Sequence, residues 1–156
     1  MAPEDHPIAL RDYTLQMEML GFLKSKFPEV KVALHAGELT IGLVPPEQLR
    51  SNIREAVEIA QASRIGHGVD VLYENKPFEL MDMMRERGVL VEICLTSNEV
   101  ILNVSGDDHP FQDYLDAAVP VTLASDDEGV ARIDLSHEYL LATTRYNLDY
   151  RKLKYL

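Results

Sequence analysis

Side chains capable of metal binding and acid–base chemistry follow short apolar segments in this sequence. VALHAGELT, residues 32–40, carries His35 and Glu38 at the end of such a segment, and GHG places His67 after another. SDDEG, residues 125–129, places Asp126 and Asp127 after a third. Imidazole and carboxylate groups bind Zn²⁺ or a similar divalent ion, which can lower the pKa of a bound water to about 7. These residue types favour hydrolytic metal chemistry.

Each motif taken alone also has a purely structural interpretation. A histidine after a strand can mark the point where the chain leaves the core and meets water. SDDEG can be a solvated acidic turn, although its two adjacent carboxylates repel each other. A cation held between Asp126, Asp127 and the histidines would remove that repulsion.

The elements that position these residues alternate between strand and helix. Apolar, β-rich segments predict strands over residues 30–36, 64–68, 89–95 and 119–125. Helical patterns occupy residues 9–26, 45–62, 77–87 and 109–118, and a last helix begins near Asp134, a good N-cap. The order βαβαβαβα predicts an α/β fold with parallel strands covered on both faces.

Apolar spacing predicts which helix faces are buried. The first helix is expected to bury the positions Tyr13, Met17, Leu20, Leu23 and Phe27. The second is expected to bury Leu49, Ile53, Val57 and Ala60. The third should stop at Gly88, a typical C-terminal residue. Cys94 is expected inside the third strand as a small core residue.

Length, composition and charge limit the class of protein. A chain of 156 residues that is 46% hydrophobic suits one domain. The formal net charge of −11 makes nucleic acid and anionic membranes unsuitable partners. A single cysteine excludes an intrachain disulfide, and MAPEDHPIAL lacks the features of a signal peptide. We expect a soluble protein. Its compartment is unassigned, with a cytoplasmic location slightly favoured over a secreted or periplasmic one.

The polar residues fall at the carboxyl ends of all four predicted strands. Thr96, Ser97 and Asn98 follow the third strand and Ser125 begins the SDDEG segment after the fourth. In parallel α/β folds, ligands bind at the carboxyl ends of the strands. The functional atoms of the four strand ends should therefore converge on one site. Four βα units form half of a (β/α)₈ barrel or a small open sheet, and periodicity does not choose between them.

HAGE, RIGHG, SN after a strand, and SDD, in this order and at these spacings, resemble the C-terminal half of the adenosine deaminase family. This family lies within the amidohydrolase superfamily of metal-dependent (β/α)₈ barrels, and the similarity covers residues 30–139. The resemblance implies that residues 1–156 form a single partial domain, the C-terminal half of a TIM-type barrel. The family's H-x-H pair, which supplies two further zinc ligands, occurs nowhere in this sequence.

The resemblance also implies roles for individual residues. His35 matches a zinc ligand, and Glu38 matches the acid that protonates purine N1 as hydroxide attacks C6. His67 matches the histidine that orients or deprotonates the attacking water. Asp126 matches the aspartate that ligates zinc and bonds the hydroxide, and Asp127 matches the residue that hydrogen-bonds purine N7. The implied reaction is zinc-dependent deamination of adenosine, or a related adenine nucleoside, to inosine and ammonia.

Departures from the family pattern leave alternatives open. CLTSN replaces a proline-containing form, and Glu128 stands where the family often has proline. His6, His109 and His137 are not expected to be metal ligands. The chain could serve a related purine or AMP aminohydrolase, although Arg132 is the only basic residue near SDD, which favours a nucleoside.

A non-catalytic remnant or binding module is the alternative from a different class. A half barrel also predicts open edges and an incomplete core. We therefore expect this chain by itself to be inactive, to bind zinc weakly, and to self-associate or to pair with an N-terminal half.

Overall fold

The computed structural model describes residues 6–156, and its centre is a four-stranded parallel sheet. Residues 1–5, which begin the segment assessed above for a signal peptide, lie outside the described residues. The strands are β1 (Ala33–Ala36), β2 (Arg64–His67), β3 (Leu90–Ile93) and β4 (Val121–Leu123). Their order in the sheet is β1-β2-β3-β4. The predicted parallel α/β class is confirmed.

Helices connect the strands and cover one face of the sheet. They are α1 (Pro7–Arg11), α2 (Tyr13–Lys26), α3 (Asn52–Glu58), α4 (Pro77–Arg87), α5 (Leu95–Leu102), α6 (Phe111–Asp116), α7 (Glu128–Ala131), α8 (Leu135–Tyr146) and α9 (Tyr150–Leu153). Short 3₁₀ turns occupy Pro46–Leu49, Val71–Tyr73 and Gly106–Asp108. Within residues 6–156, no helix has the length and apolar composition needed to cross a bilayer.

The strand order resolves the choice that periodicity left open. A doubly wound sheet reverses its strand order at a switch point, whereas successive strands of a (β/α)₈ barrel lie side by side in sequence order. Here each described strand pairs with the next in the chain, from β1 to β4. The four units have the arrangement of half of a TIM-type barrel.

The two faces of the sheet differ in residue type. Leu34, Ile65, Val91 and Val121 share one register row, and the last three are buried in the core beneath the helices. The adjacent row carries His35, Gly66, Glu92 and Thr122 on the opposite face. His35 is exposed there, and Glu92 is half-buried with an ion pair to Arg64. That second face corresponds to the interior of a closed barrel.

Three local predictions about helices are confirmed. Leu49, Ile53, Val57 and Ala60 are all at most 1% exposed. Gly88 ends α4 with φ +64°, in the left-handed region that favours glycine. The side chain of Asp134 accepts a hydrogen bond from the His137 backbone N–H and so caps α8, as predicted.

The predicted burial of α2 is wrong at its C-terminal end. Tyr13 and Met17 are buried and Leu20 is half-buried, but Leu23 and Phe27 are 50% and 54% exposed. The hydrogen bonds that hold α2 against α3 come from its first turn, where the Tyr13 hydroxyl donates to the Asn52 carbonyl at 2.9 Å. The last turn lies along an open groove because, within the described part of the chain, no element covers it.

Several predicted boundaries also move. The predicted helix over residues 45–62 is divided into a 3₁₀ turn and α3, because Ser51 between them has a non-helical backbone with φ −149° and ψ 0°. The third strand ends at Ile93 because the chain turns into α5, a helix that the sequence pattern did not indicate. Cys94 therefore lies just after β3 and not inside a strand. It is buried, as expected of a core residue, and burial raises the pKa of its thiol.

Candidate active site

A cavity of about 370 Å³ opens at the carboxyl ends of the strands. Its polar lining comes from the carboxyl-terminal ends of β1 and β2 and from the segments that follow β1, β3 and β4, and α5 and α7 add apolar side chains. The lining residues are His35, Glu38, His67, Ser97, Val100, Ile101, Asp126, Asp127, Val130 and Ala131. The structure thus brings every site residue predicted from the sequence to one cavity.

Three of these residues form a group that can hold a metal ion. One ligand atom from each of His35, His67 and Asp126 lies within 4.8 Å of the other two. The imidazole rings of His35 and His67 have centroids 5.0 Å apart. Ligands of one zinc ion each lie about 2 to 2.3 Å from it, so atoms this close suit a shared ion.

Glu38 reaches the site through a glycine turn directly after β1. Gly37 has φ +75°, and a Cβ there would lie only 2.5 Å from Asp70 Oδ1 and 2.7 Å from Ile53 Cδ1. Glycine is therefore required on both conformational and steric grounds. The turn places Glu38, which is 5% exposed, with its Oε2 3.4 Å from His67 Nε2.

His67 is the most enclosed member of the metal-binding group. It is 2% exposed and has a left-handed φ of +70°, a strained conformation of the kind that clusters at functional sites. Its Nδ1 lies 3.1 Å from Asn98 Nδ2. Burial lowers the pKa of the His67 imidazole to about 4; the Asp126 carboxylate opposes this change and His35 adds to it. The ring is neutral at neutral pH.

The two aspartates have different environments. Asp126, with φ +56°, accepts a hydrogen bond from the Ser97 hydroxyl at 2.6 Å and is exposed to the cavity. Asp127 is also exposed, and its Oδ1 caps α7 by accepting from the Val130 backbone N–H at 3.2 Å. Ser97 thus orients Asp126 toward the histidines. Asp127 is instead held by its cap on the short helix α7.

α5 is held in place by a glutamate that sequence reasoning did not select. Glu138 of α8 is fully buried, and its carboxylate accepts from the backbone N–H groups of Leu95 at 2.7 Å and Thr96 at 3.2 Å. This cap fixes the first turn of α5, which carries Ser97 and Asn98. One sequence signal was available: Glu138 lies on the same helical stripe as the buried Leu141 and Ala142.

His109 was excluded as a ligand, but it belongs to the surroundings of the site. It is 1% exposed, and its Nε2 lies 3.1 Å from Asn98 Oδ1. It does not reach the cavity. No local sequence signal connects it with His67, because the connection passes through a buried side chain on another helix.

The sheet and the group of His35, His67 and Asp126 together have the arrangement of part of an α/β barrel with a possible metal site at the carboxyl ends of its strands. The adenosine deaminase family model matches residues 17–156, and the chain belongs to the adenosine deaminase family. The family is metal-dependent, and the group of His35, His67 and Asp126 agrees with that property.

Individual relatives show the same relationship over part of their length. The chain is 31% identical over 147 residues to an adenosine deaminase of Clostridium perfringens, covering 88% of this chain and 41% of the relative. It is 30% identical over 152 residues to an adenosine deaminase of Plasmodium vivax, covering 95% of this chain and 38% of the relative. The chain thus spans about two fifths of the length of these curated relatives.

Solved structures agree. The N6-methyl-AMP deaminase of Arabidopsis thaliana superposes with a TM-score of 0.64 at 30% identity, covering 84% of this chain and 35% of that one. An adenine deaminase of Arthrobacter aurescens superposes with a TM-score of 0.66 at 19% identity, covering 85% of this chain and 37% of that one. The second similarity supports the fold alone.

Proposed function

We propose that this chain carries part of the active site of a zinc-dependent hydrolase that deaminates adenosine, or a related adenine nucleoside, to inosine and ammonia. The observation that carries the proposal is the convergence of His35, His67 and Asp126 within 4.8 Å, with Glu38 3.4 Å from His67 in the same cavity. An acid, a hydrogen-bonding imidazole and a metal-ligand set are the groups that hydrolytic deamination of a purine needs.

His35 and Asp126 are the residues that would hold zinc. Imidazole nitrogen and carboxylate oxygen suit this ion, and Ser97 orients the Asp126 carboxylate as outer partners orient metal ligands. A bound zinc ion supplies a Lewis acid that lowers the pKa of water to about 7. A catalytic zinc normally has at least three protein ligands, so further ligands are assigned to parts of the whole protein outside this chain.

The remaining residues act on the substrate and on the attacking water. Glu38 in its protonated form donates to purine N1, which makes C6 more electrophilic. His67 holds the attacking water opposite C6. Asp126 also accepts a hydrogen bond from that water. Asp127 is assigned to the N7 edge of the purine, with Oδ2 available because Oδ1 already accepts from Val130.

The cavity favours a nucleoside over a nucleotide. Among the described residues that line it, none is a lysine or an arginine, so a phosphate would meet Glu38, Asp126 and Asp127 without a compensating cation. Val100 and Ile101 offer apolar surface for a purine ring. Nucleotide deamination remains the second candidate because a related structure is that of an N6-methyl-AMP deaminase, and Arabidopsis ADAL has been solved with IMP.

A chimeric enzyme tests the proposal. Residues 17–156 would replace the matched segment of the Clostridium perfringens adenosine deaminase, and the zinc-loaded chimera would be assayed with adenosine, AMP, N6-methyl-AMP and adenine. We expect conversion of adenosine to inosine, measured as the change in ultraviolet absorbance. Glu38→Gln should lower kcat by about 10²- to 10⁴-fold, because the amide cannot protonate N1.

Glu47→Gln is the matched control, since it makes the same change at an exposed glutamate outside the cavity lining. It should leave the rate unchanged. A chimera that folds and contains zinc but turns over none of the four substrates would contradict the proposal and favour a binding module. If the chimera preferred AMP over adenosine, the proposed substrate would be a nucleotide.

A further inference from the structure

We propose that Asn98 and His109 are positioning residues that fix the tautomer of His67, so that His67 presents an Nε2–H donor to the cavity. The inference deepens, and rests on, the function proposed above, because it decides how His67 contributes to that site. It follows from the direction of a continuous chain of hydrogen bonds that links Phe111, His109, Asn98 and His67.

The chain begins at a group whose role is unambiguous. The backbone N–H of Phe111 can only donate, and it lies 3.1 Å from His109 Nδ1. His109 Nδ1 is therefore an acceptor and carries no proton. Burial lowers the pKa of His109 to about 4, with a smaller contribution from His67, so the ring is neutral and its one proton is on Nε2.

The next link sets the orientation of the Asn98 amide. His109 Nε2–H faces Asn98 Oδ1 at 3.1 Å, and the amide oxygen accepts this hydrogen bond. The other end of the amide, Nδ2, then points at His67 Nδ1 at 3.1 Å and donates to it. Asn98 is completely buried, so water does not compete for either end.

The last link assigns the His67 tautomer. Because Nδ1 accepts from Asn98, a neutral His67 carries its proton on Nε2. That atom is the one that lies 3.4 Å from Glu38 Oε2 at the cavity. His67 thus presents an N–H donor to the site. A nitrogen that carries a proton neither ligates a metal ion nor removes a proton from water.

The reverse direction would leave buried groups in conflict. It would require a proton on His109 Nδ1. That N–H and the Phe111 backbone N–H, both donors, would then face each other at 3.1 Å. Tyr146, whose ring packs edge-on against His109 at 6.5 Å, does not offer an alternative partner, because its hydroxyl donates to the Gly106 carbonyl. Only one direction satisfies every group.

This tautomer distinguishes between the two roles considered for His67, which were to orient the attacking water or to deprotonate it. His67 orients the attacking water as a donor and does not deprotonate it. In this tautomer His67 does not ligate a metal ion, which leaves His35 and Asp126 of the three residues in the group.

Nitrogen NMR tests the assignment directly. The 156-residue chain, labelled with ¹⁵N in its histidine rings, would be studied without metal near neutral pH by long-range ¹H–¹⁵N correlation, which distinguishes the two neutral tautomers. We expect the Nε2–H tautomer for both His67 and His109. A wild-type spectrum that shows His67 with its proton on Nδ1 would overturn the proposal without any variant.

Asn98→Asp reverses the last link. A carboxylate accepts from both imidazoles, so His67 should change to the Nδ1–H tautomer while His109 keeps its proton on Nε2. Asn103→Asp is the matched control, since it makes the same substitution at an exposed residue just after α5 and should change neither tautomer. If Asn98→Asp fails to fold, His109→Phe removes the link between the Phe111 N–H and Asn98 and should leave His67 as a mixture of tautomers. An unchanged His67 signal in the folded variant would refute the mechanism.

The chimera described above separates this inference from the proposed function. Asn98→Asp there should lower kcat by about 10- to 100-fold with little change in KM, as for other residues that orient a group in the site. An unaltered rate together with a reversed tautomer would exclude a positioning role. The NMR result does not depend on deamination, so the tautomer can be confirmed or refuted even if the chimera is inactive.

Discussion

At the residue scale, the candidate metal ligands and their neighbour differ in how firmly they are held. His35 and Asp126 are exposed side chains at the edge strands β1 and β4, whereas His67 is enclosed between them and hydrogen-bonded by Asn98. Exposed ligands lose conformational freedom when an ion binds, and that loss weakens binding. Two such ligands form an incomplete zinc site.

Zinc should therefore bind the 156-residue chain weakly and reversibly in a calorimetric titration. His35→Ala should weaken binding further, by at least about tenfold, because it removes one of two ligands. His137→Ala provides the control, since His137 lies on α8 outside the cavity lining. Tight binding in the nanomolar range at one ion per chain would contradict this prediction and would make His67 a third ligand.

At the scale of elements, buried glutamates from other segments cap the helices near the site. Glu138 caps α5, and Glu74 caps α3, where its Oε1 accepts from the backbone N–H groups of Ile53 at 2.6 Å and Arg54 at 3.2 Å. Among the described residues, Glu74 Oε2 has no hydrogen-bond partner. Burial raises the pKa of Glu74 to about 7, although the two backbone hydrogen bonds oppose the change.

Glu74 should make the folded chain less stable as pH rises. The carboxyl is neutral in both states below its ordinary pKa of 4.5; between pH 4.5 and about 7 the unfolded chain loses the proton while the folded chain retains it. The free energy of unfolding should fall across this window, by about 3 kcal/mol in total. Glu74→Gln keeps the Oε1 acceptor without the charge, so the variant should lack this decrease.

Urea unfolding at several pH values measures the difference. Wild type and Glu74→Gln should agree at the acid end, and the variant should be the more stable above pH 7. Glu86→Gln, at an exposed position of α4, should follow the wild-type curve within about 0.5 kcal/mol. If Glu74→Gln is less stable than wild type above pH 7, the carboxylate form is the one that caps α3.

At the scale of the whole molecule, one flank of the described chain exposes apolar side chains next to an open sheet edge. Leu15, Met19, Phe22 and Leu23 of α2 are 50% to 60% exposed, and β1 is an edge strand. An exposed apolar patch of this kind marks a surface that another protein covers, and an open edge can pair with another strand. In a closed (β/α)₈ barrel, neighbouring βα units cover this flank.

The 156-residue chain by itself should self-associate, with this flank in contact with a second copy. Sedimentation velocity over a range of concentrations should show a dimer or larger species at high concentration. Phe22→Glu should weaken the association at least about tenfold, because it places a charge in the contact. Phe78→Glu makes the same change at an exposed phenylalanine of α4 and should have little effect. A monomer at every concentration would contradict the prediction.

The sequence by itself determined the features that depend on near neighbours. The order of the four strands, the buried stripe of α3, the glycine that ends α4 and the aspartate that caps α8 all arise from spacings of a few residues. The placement of His35, His67 and Asp126 at one edge followed as well, because the carboxyl ends of parallel strands meet there. The predicted burial of the C-terminal end of α2 was wrong, because apolar spacing does not reveal whether a partner covers that face of the helix.

Only the tertiary structure decided the contacts between distant segments. α5 contains Thr96, Ser97 and Asn98, which favour helix interiors weakly, and it forms against the carboxylate of Glu138, about 42 positions further along the chain. The links from His109 through Asn98 to His67 join residues 11 and 31 positions apart. Hydrogen bonds across such distances depend on how helices pack on the sheet, and residue spacing along one element carries no information about that packing.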